Sequence, residues 1–256
     1  MKAIYTEEQK GIQLDILSDV ISFCEEQKLN YFLAYGTLIG AVRHHGYIPW
    51  DDDIDIWMPE PDYDKFIVKY QSDKYKVIHN KNTKKYYVNF AKVHDERTRF
   101  QEPYTQDTGY GVFIDVFPLH AYSGATQRRI CFLFYRMIRM KRNKWYKDKP
   151  FYKNVINKVG QLCLLPIPLK FVSKCLEFFA RQNNWDSAKF VHSFSGNASE
   201  YPKKCFEGYE RVKFENLECR IPIGYDMILK LQYGDFMKLP PKEQRILKHN
   251  AKAWWK

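Results

Sequence analysis

The chain has 256 residues, is 45% hydrophobic and 17% aromatic, and carries a formal net charge of +11. Such a length supports one large domain or two modest ones around a sizeable core, and the apolar content excludes a disordered chain. The charge is divided: residues 1–64 hold four Lys/Arg against thirteen Asp/Glu, so the rest is basic enough to meet an anionic partner. No N-terminal stretch joins a basic start, an apolar run and a small-residue cleavage site, so no signal peptide is expected. The longest apolar-leaning segment, "VINKVGQLCLLPIPLKFVSKCLEFF", is broken by Lys158, Pro166, Pro168, Lys170 and Lys174, which excludes a spanning helix. The six cysteines form no C-x-x-C pair and no zinc spacing, so reduced thiols in the cytosol are expected.

Thr6 followed by Gln9 has the pattern of a capping box, and Ile12, Ile16, Leu17, Val20, Ile21 and Cys24 then recur at helical spacing. "YFLAY" (31–35) predicts a short buried strand running straight into Gly36 and Thr37. From Asp53 the residues alternate. Asp53, Asp55 and Trp57 fall on one face and Ile54, Ile56 and Met58 on the other, which predicts a half-buried strand. A helix near 62–71, the aromatic stretches "YKVIH" and "YYVNFAKVH", and a strand in "GYGVFIDVFPL" (109–119) follow. From about 126 the chain turns basic, aromatic and helical, and "RVKFENLECRIPIGYDMILKLQYGDFM" reads as a hairpin, a helix and a Tyr-Gly-Asp turn. The pattern predicts an α+β fold: a core over 1–125, a basic, mainly helical insertion over 126–200, and a 201–256 segment that returns to the core.

The run "PWDDDID" concentrates four acids on a basic protein. Charge runs are usually solvated turns. Here Asp53 and Asp55 stand two apart on a strand, with Cβ atoms about 7 Å apart, a reach that one or two divalent cations bridge. Ile54 and Ile56 are core-type neighbours, and Asp115 offers a third carboxylate on a second strand. Three converging carboxylates with no positive side chain between them need a metal or strongly raised pKa values. Upstream, Gly36 and Gly40 let a backbone approach a phosphate closely, Thr37 adds a hydroxyl and Arg43 a planar fork for phosphate oxygens. Asp51 and Asp52 rank below the other two acids, since Asp52 points away from Asp53 along a strand.

With "YGTLIGAVRHHGYIPWDDDIDI", "GVFIDVFPL" and the looser "IPIGYD…YGDFM…P", the chain resembles the LicD/fukutin family of nucleotidyltransferase-like enzymes. The resemblance implies a nucleotidyltransferase-like mixed sheet and transfer of a phospho-alcohol from a CDP-alcohol donor to a sugar hydroxyl. The group is typically phosphocholine, and the acceptor a surface glycan (teichoic acid or lipopolysaccharide) or its lipid-linked precursor. Donors carrying ethanolamine, glycerol or ribitol share the same CDP end. By position, Gly36 and Thr37 match the phosphate turn, Asp53 and Asp55 the metal-binding pair for Mg²⁺ or Mn²⁺, and Asp115 the later-strand carboxylate, as metal ligand or as the base for the sugar hydroxyl.

Trp50, Tyr47 and Tyr110 are candidates to box a trimethylammonium group, against the ordinary alternative of core aromatics. His44, His45 and His249 are candidate anion contacts or plain surface residues. Tyr233-Gly234-Asp235 either closes the site or stops a helix. The block 126–181 interleaves Arg128, Arg129, Arg136, Arg139, Lys141, Arg142, Lys144 and Lys147 with Phe132, Phe134, Tyr135, Trp145 and Tyr146. An anionic membrane surface, at the inner face of the plasma membrane, is preferred over nucleic acid for it, because no helix-turn-helix, RNP, KH or zinc pattern appears. A solvated basic face is the plain alternative. Two other functions stand against the transferase: a D-x-D glycosyltransferase, disfavoured because only about fifty residues precede the acids, and a non-enzymatic basic adaptor.

Overall fold

The computed structural model describes residues 2–84, 86–101, 109–142, 151–195, 199–246 and 251–256. Of the candidates above, Lys144, Trp145, Tyr146, Lys147 and His249 lie outside the described residues.

Strand β1 (Ala3–Ile4) leads into helix α1 (Thr6–Glu26), which buries Ile12, Ile16, Leu17, Val20 and Cys24 as its periodicity predicts. The capping box does not form: Tyr5 is the cap and Thr6 is already helical. Gln9 serves a distant partner instead, its amide donating to the Asp52 carbonyl at 3.1 Å, as does that of Gln13 at 3.0 Å. Strand β2 (Phe32–Leu33) is followed at once by α2 (Tyr35–His44), β3 (Asp55–Pro59) and α3 (Glu60–Lys69). Gly36 and Thr37 therefore sit in the first turn of a helix, entered through Tyr35 at φ 46°.

Strands β4 (Tyr75–Ile78), β5 (Ala91–Asp95), β6 (Thr98–Gln101) and β7 (Phe113–Tyr122) come next. Helices α4 (Ala125–Arg142), α5 (Phe151–Cys163) and α6 (Leu169–Ala180) form the basic region. Strands β8 (Phe190–His192), β9 (Tyr201–Pro202), β10 (Tyr209–Phe214) and β11 (Leu217–Pro222), helix α7 (Tyr225–Tyr233) and strand β12 (Lys252–Trp255) complete the described chain.

The central sheet runs β2-β3-β7-β5-β4, with β3 and β7 parallel and their neighbours antiparallel. The far end of β7 also pairs with β8. This mixed sheet, with helices packed on it, is the α+β architecture expected. Strand β3 is not half-buried, however. Ile56, Trp57 and Met58 are all inaccessible, because Tyr35, Tyr201 and Phe206 cover the Trp57 face at ring distances of 4.8, 5.4 and 5.8 Å. A second small sheet joins the chain ends, β12 lying between β1 and β6.

The helical region is fastened at the C-terminal ends of β3 and β7. Arg181 reaches Glu60 at 3.0 Å, Asp64 at 2.7 Å and Glu177 at 2.5 Å, and the buried His120 ring meets Glu60 at 2.6 Å. Gln127 donates to the carbonyls of Phe179 and Ala180. The β10–β11 hairpin tip holds the loop after α2: Glu215 donates its N–H to the His45 carbonyl, and its carboxylate accepts from the Tyr47 N–H. That grip fixes the path from α2 into the acidic run. All six cysteines are free thiols.

Candidate active site

Sheet register assembles the site. Asp55, the first residue of β3, lies opposite Asp115 on β7, and Asp115 lies opposite Lys92 on β5. Three strands thus place acid, acid and base in one row. In-register neighbours share a face of the sheet. The Asp55 N–H donates to the Thr37 hydroxyl oxygen at 2.9 Å, so Thr37, itself buried, pins the strand start to α2.

Asp55 carries the clearest electrostatic signature. Burial, then the charges of Asp53, Asp115 and Asp51, raise its pKa well above the usual carboxylate range, with Lys92 opposing. The carboxylates were expected to meet without a cation among them; that is corrected. Lys92 Nζ lies 2.6 Å from Asp115 Oδ1, both side chains largely buried, and only 3.4 Å from the Phe113 ring centroid. Asp53 precedes the strand instead of lying within it. Asp51 stands closer to the chemistry than its rank implied: it acts on Asp55, and its Oδ2 occupies the place where a Gly36 Cβ would fall, 2.5 Å away. Asp52 is buried, its carbonyl held by α1.

One hydroxyl cluster and one separate phenol interact with these acids. The Tyr35 hydroxyl bonds Ser193 at 2.7 Å and Ser195 at 3.3 Å, and the two serines bond each other at 2.9 Å. Burial chiefly raises the Tyr35 pKa, and Asp55 adds to it. Tyr233 is 42% exposed overall, yet desolvation of its hydroxyl and then the charges of Asp55, Asp51 and Asp53 push its pKa up. Gly234 follows at φ 67° and its N–H closes on the Lys230 carbonyl, so the Tyr-Gly-Asp segment both stops α7 and brings a phenol to the acids.

The remaining candidates are placed as follows. Gly40 admits protein backbone: a Cβ there would lie 2.4 Å from the Gly46 carbonyl oxygen. Arg43 donates to the Phe236 carbonyl and, through Nε, to His44 Nε2 at 2.9 Å. Burial and then the Arg245 charge lower its pKa, and burial and then Arg43 lower that of His44, which leaves the imidazole neutral as an acceptor. His45, at φ 58°, caps α2. The three proposed cage aromatics have separate neighbours: Arg245 stacks on Trp50, Lys10 on Tyr47, and Tyr110 packs on Phe113.

Among the described residues no three His, Cys, Asp or Glu side chains come together closely enough to hold a metal ion unaided. The donor set is oxygen only, and Asp55 stands in an excess of negative charge. Both suit a hard divalent cation held by one or two carboxylates plus substrate oxygens, the usual manner for Mg²⁺. Two clefts of about 770 and 490 Å³ lie elsewhere, beside Asp19 on α1 and beside Trp185, and neither includes the acids.

Sequence reasoning missed Lys92, Tyr35, Ser193 and Ser195. A lysine in the apolar stretch "NFAKVH" was the only signal for the first; the serines, some 140 residues after the acids, gave none.

A family profile described as LicD/FKTN/FKRP, nucleotidyltransferase domain, matches residues 28–160. The lipopolysaccharide cholinephosphotransferase LicD of Haemophilus influenzae is 27% identical over 268 residues, spanning 99% of both chains. An uncharacterised protein of Rickettsia typhi is 33% identical over 78 residues, 29% of this chain and 25% of its own length.

Proposed function

The chain belongs to the LicD/FKTN/FKRP nucleotidyltransferase family, and from that premise we propose that it transfers phosphocholine from CDP-choline to a sugar hydroxyl of a lipopolysaccharide-type surface glycan or its lipid-linked precursor. The full-length similarity to a cholinephosphotransferase supports the group transferred and the kind of acceptor. The observation that carries the chemistry is the row Asp55–Asp115–Lys92, in which Asp55 is held against its own ionisation by burial and then by neighbouring acids.

In the proposed reaction the sugar oxygen attacks the phosphorus that bears choline. The bond from that phosphorus to the bridging oxygen breaks, and CMP leaves with the electron pair. Asp53 and Asp55 would hold Mg²⁺ or Mn²⁺, which when bound neutralises the diphosphate and the charge developing on CMP. Asp115 takes the proton of the attacking hydroxyl, and Lys92 orients its carboxylate through the 2.6 Å contact. Thr37 keeps Asp55 in place through its backbone N–H. The hydroxyls of Tyr35, Ser193 and Ser195 offer donors and acceptors suited to a sugar.

Incubating the full chain with CDP-choline, CDP-ethanolamine, CDP-glycerol and CDP-ribitol, each with Mg²⁺ or Mn²⁺, and measuring CMP release with and without glycolipid acceptor, tests this reading. Acceptor-dependent release from CDP-choline is expected. Release from another donor alone moves the alcohol within the family, and release from none overturns the proposal.

A further inference from the structure

We propose that α5 and the outer face of α6 form a docking surface for an anionic lipid bilayer. Helix α5 is thirteen residues long, yet only Asn154 of it is buried. Tyr152, Ile156, Val159 and Leu162 follow helical spacing along one side and are 59, 60, 53 and 57% exposed. Its opposite side is committed. Gly160 lies so close to α4 that a Cβ would fall 2.2 Å from Met140 Sδ, and Gln161 donates to the Met140 carbonyl. Lys141 clamps the turn after α5 by donating to the carbonyls of Leu164 and Ile167. The apolar side is thus held rigidly outward. Helix α6 repeats the arrangement, with Phe171 and Phe178 exposed while Val172, Leu176 and Ala180 face inward.

Charge selects the occupant. Lys153 and Lys158 flank the α5 stripe, and Lys170 and Lys174 stand beside the α6 phenylalanines, all exposed. Among the described residues between 125 and 181 the sole acid is Glu177, which Arg181 engages at 2.5 Å. An apolar stripe edged by lysines matches the acyl boundary and headgroups of an anionic leaflet, whereas a second copy of the same basic face would be repelled. No helix among the described residues is long and apolar enough to cross a membrane, so the stripe would lie in the plane of the leaflet.

The test is co-sedimentation of the full chain with phosphatidylglycerol-containing vesicles and with pure phosphatidylcholine vesicles, alongside Ile156→Glu/Val159→Glu and Lys153→Glu/Lys158→Glu variants. All substituted positions are exposed, and circular dichroism with thermal melting checks that each variant folds. The expected result is binding to the anionic vesicles that falls about tenfold or more on neutral vesicles and in each variant. Absence of binding, binding indifferent to the apolar substitutions, or a wild-type dimer that Ile156→Glu/Val159→Glu dissociates would overturn it. Because sedimentation uses no donor, its failure is separable from failure of the transferase reading.

Discussion

Strand β3 begins at Asp55 and hands over to Glu60 about 16 Å further on, and the two carboxylates meet opposite conditions. Burial alone would raise Glu60, but the His120 hydrogen bond and the His120 and Arg181 charges outweigh it and lower its pKa. Glu177 is lowered in the same way, Arg181 overcoming burial. At Asp55, burial and three further acids act together and the single opposing lysine is itself bound to Asp115. Acids matched by cations fasten a helical region to a sheet. Acids left in excess are a structural liability that a cationic ligand relieves.

Asp55→Asn should produce the largest effect. CMP release is expected to fall by about a thousandfold or more, while the metal-free protein gains about 1 kcal/mol of stability through lost repulsion. An acid whose folded pKa is raised favours the fold when protonated, and that contribution is lost as pH rises through the folded pKa. The wild type should therefore gain on the variant as pH falls, read by chemical denaturation across pH. A destabilised Asp55→Asn would break the contrast.

Arg181→Met should show the reverse profile: about 3 kcal/mol of lost stability, with CMP release by the folded protein unchanged at low temperature. Glu60 and Glu177 have lowered pKa values, so their contribution is present above their unfolded pKa of about 4.5 and disappears as pH falls through the folded values. The gap between wild type and variant should accordingly close in acid. Lys92→Met sharpens the comparison from the catalytic side, with CMP release down about thirtyfold. If it costs stability and leaves turnover intact, Lys92 belongs with the fastening residues. Gly36→Ala is the mildest change: its Cβ must displace the Asp51 carboxylate, and about tenfold loss of turnover with a near-normal melting temperature is expected.

What was legible is local. The start of a strand at the acidic run, the helix face of α1, the β10–β11 hairpin and the stop at Gly234 depend on neighbours along the chain, although Asp53 falls before the strand and not on it. What escaped depends on register or distant cover. Lys92 reaches Asp115 only because β5 and β7 pair at that offset. The Trp57 face looked wet until Tyr201 and Phe206 closed over it. Thr6 and Gln9 satisfied a local capping rule, but a buried carbonyl at Asp52 recruited the glutamine. In the basic region the composition marked the block 126–181 as a whole and could not say which helix faces outward; among the described residues α4 buries Gln127, Cys131 and Ile138, whereas α5 buries Asn154 alone.

The central claim, that the Asp55 row is an acid excess awaiting a cation and a diphosphate, is tested most directly by thermal melting with and without Mg²⁺ and CDP-choline. The wild type and Arg181→Met should each rise in melting temperature on adding both, and Asp55→Asn should not. An equal rise in Asp55→Asn, or none in the wild type, would contradict the account.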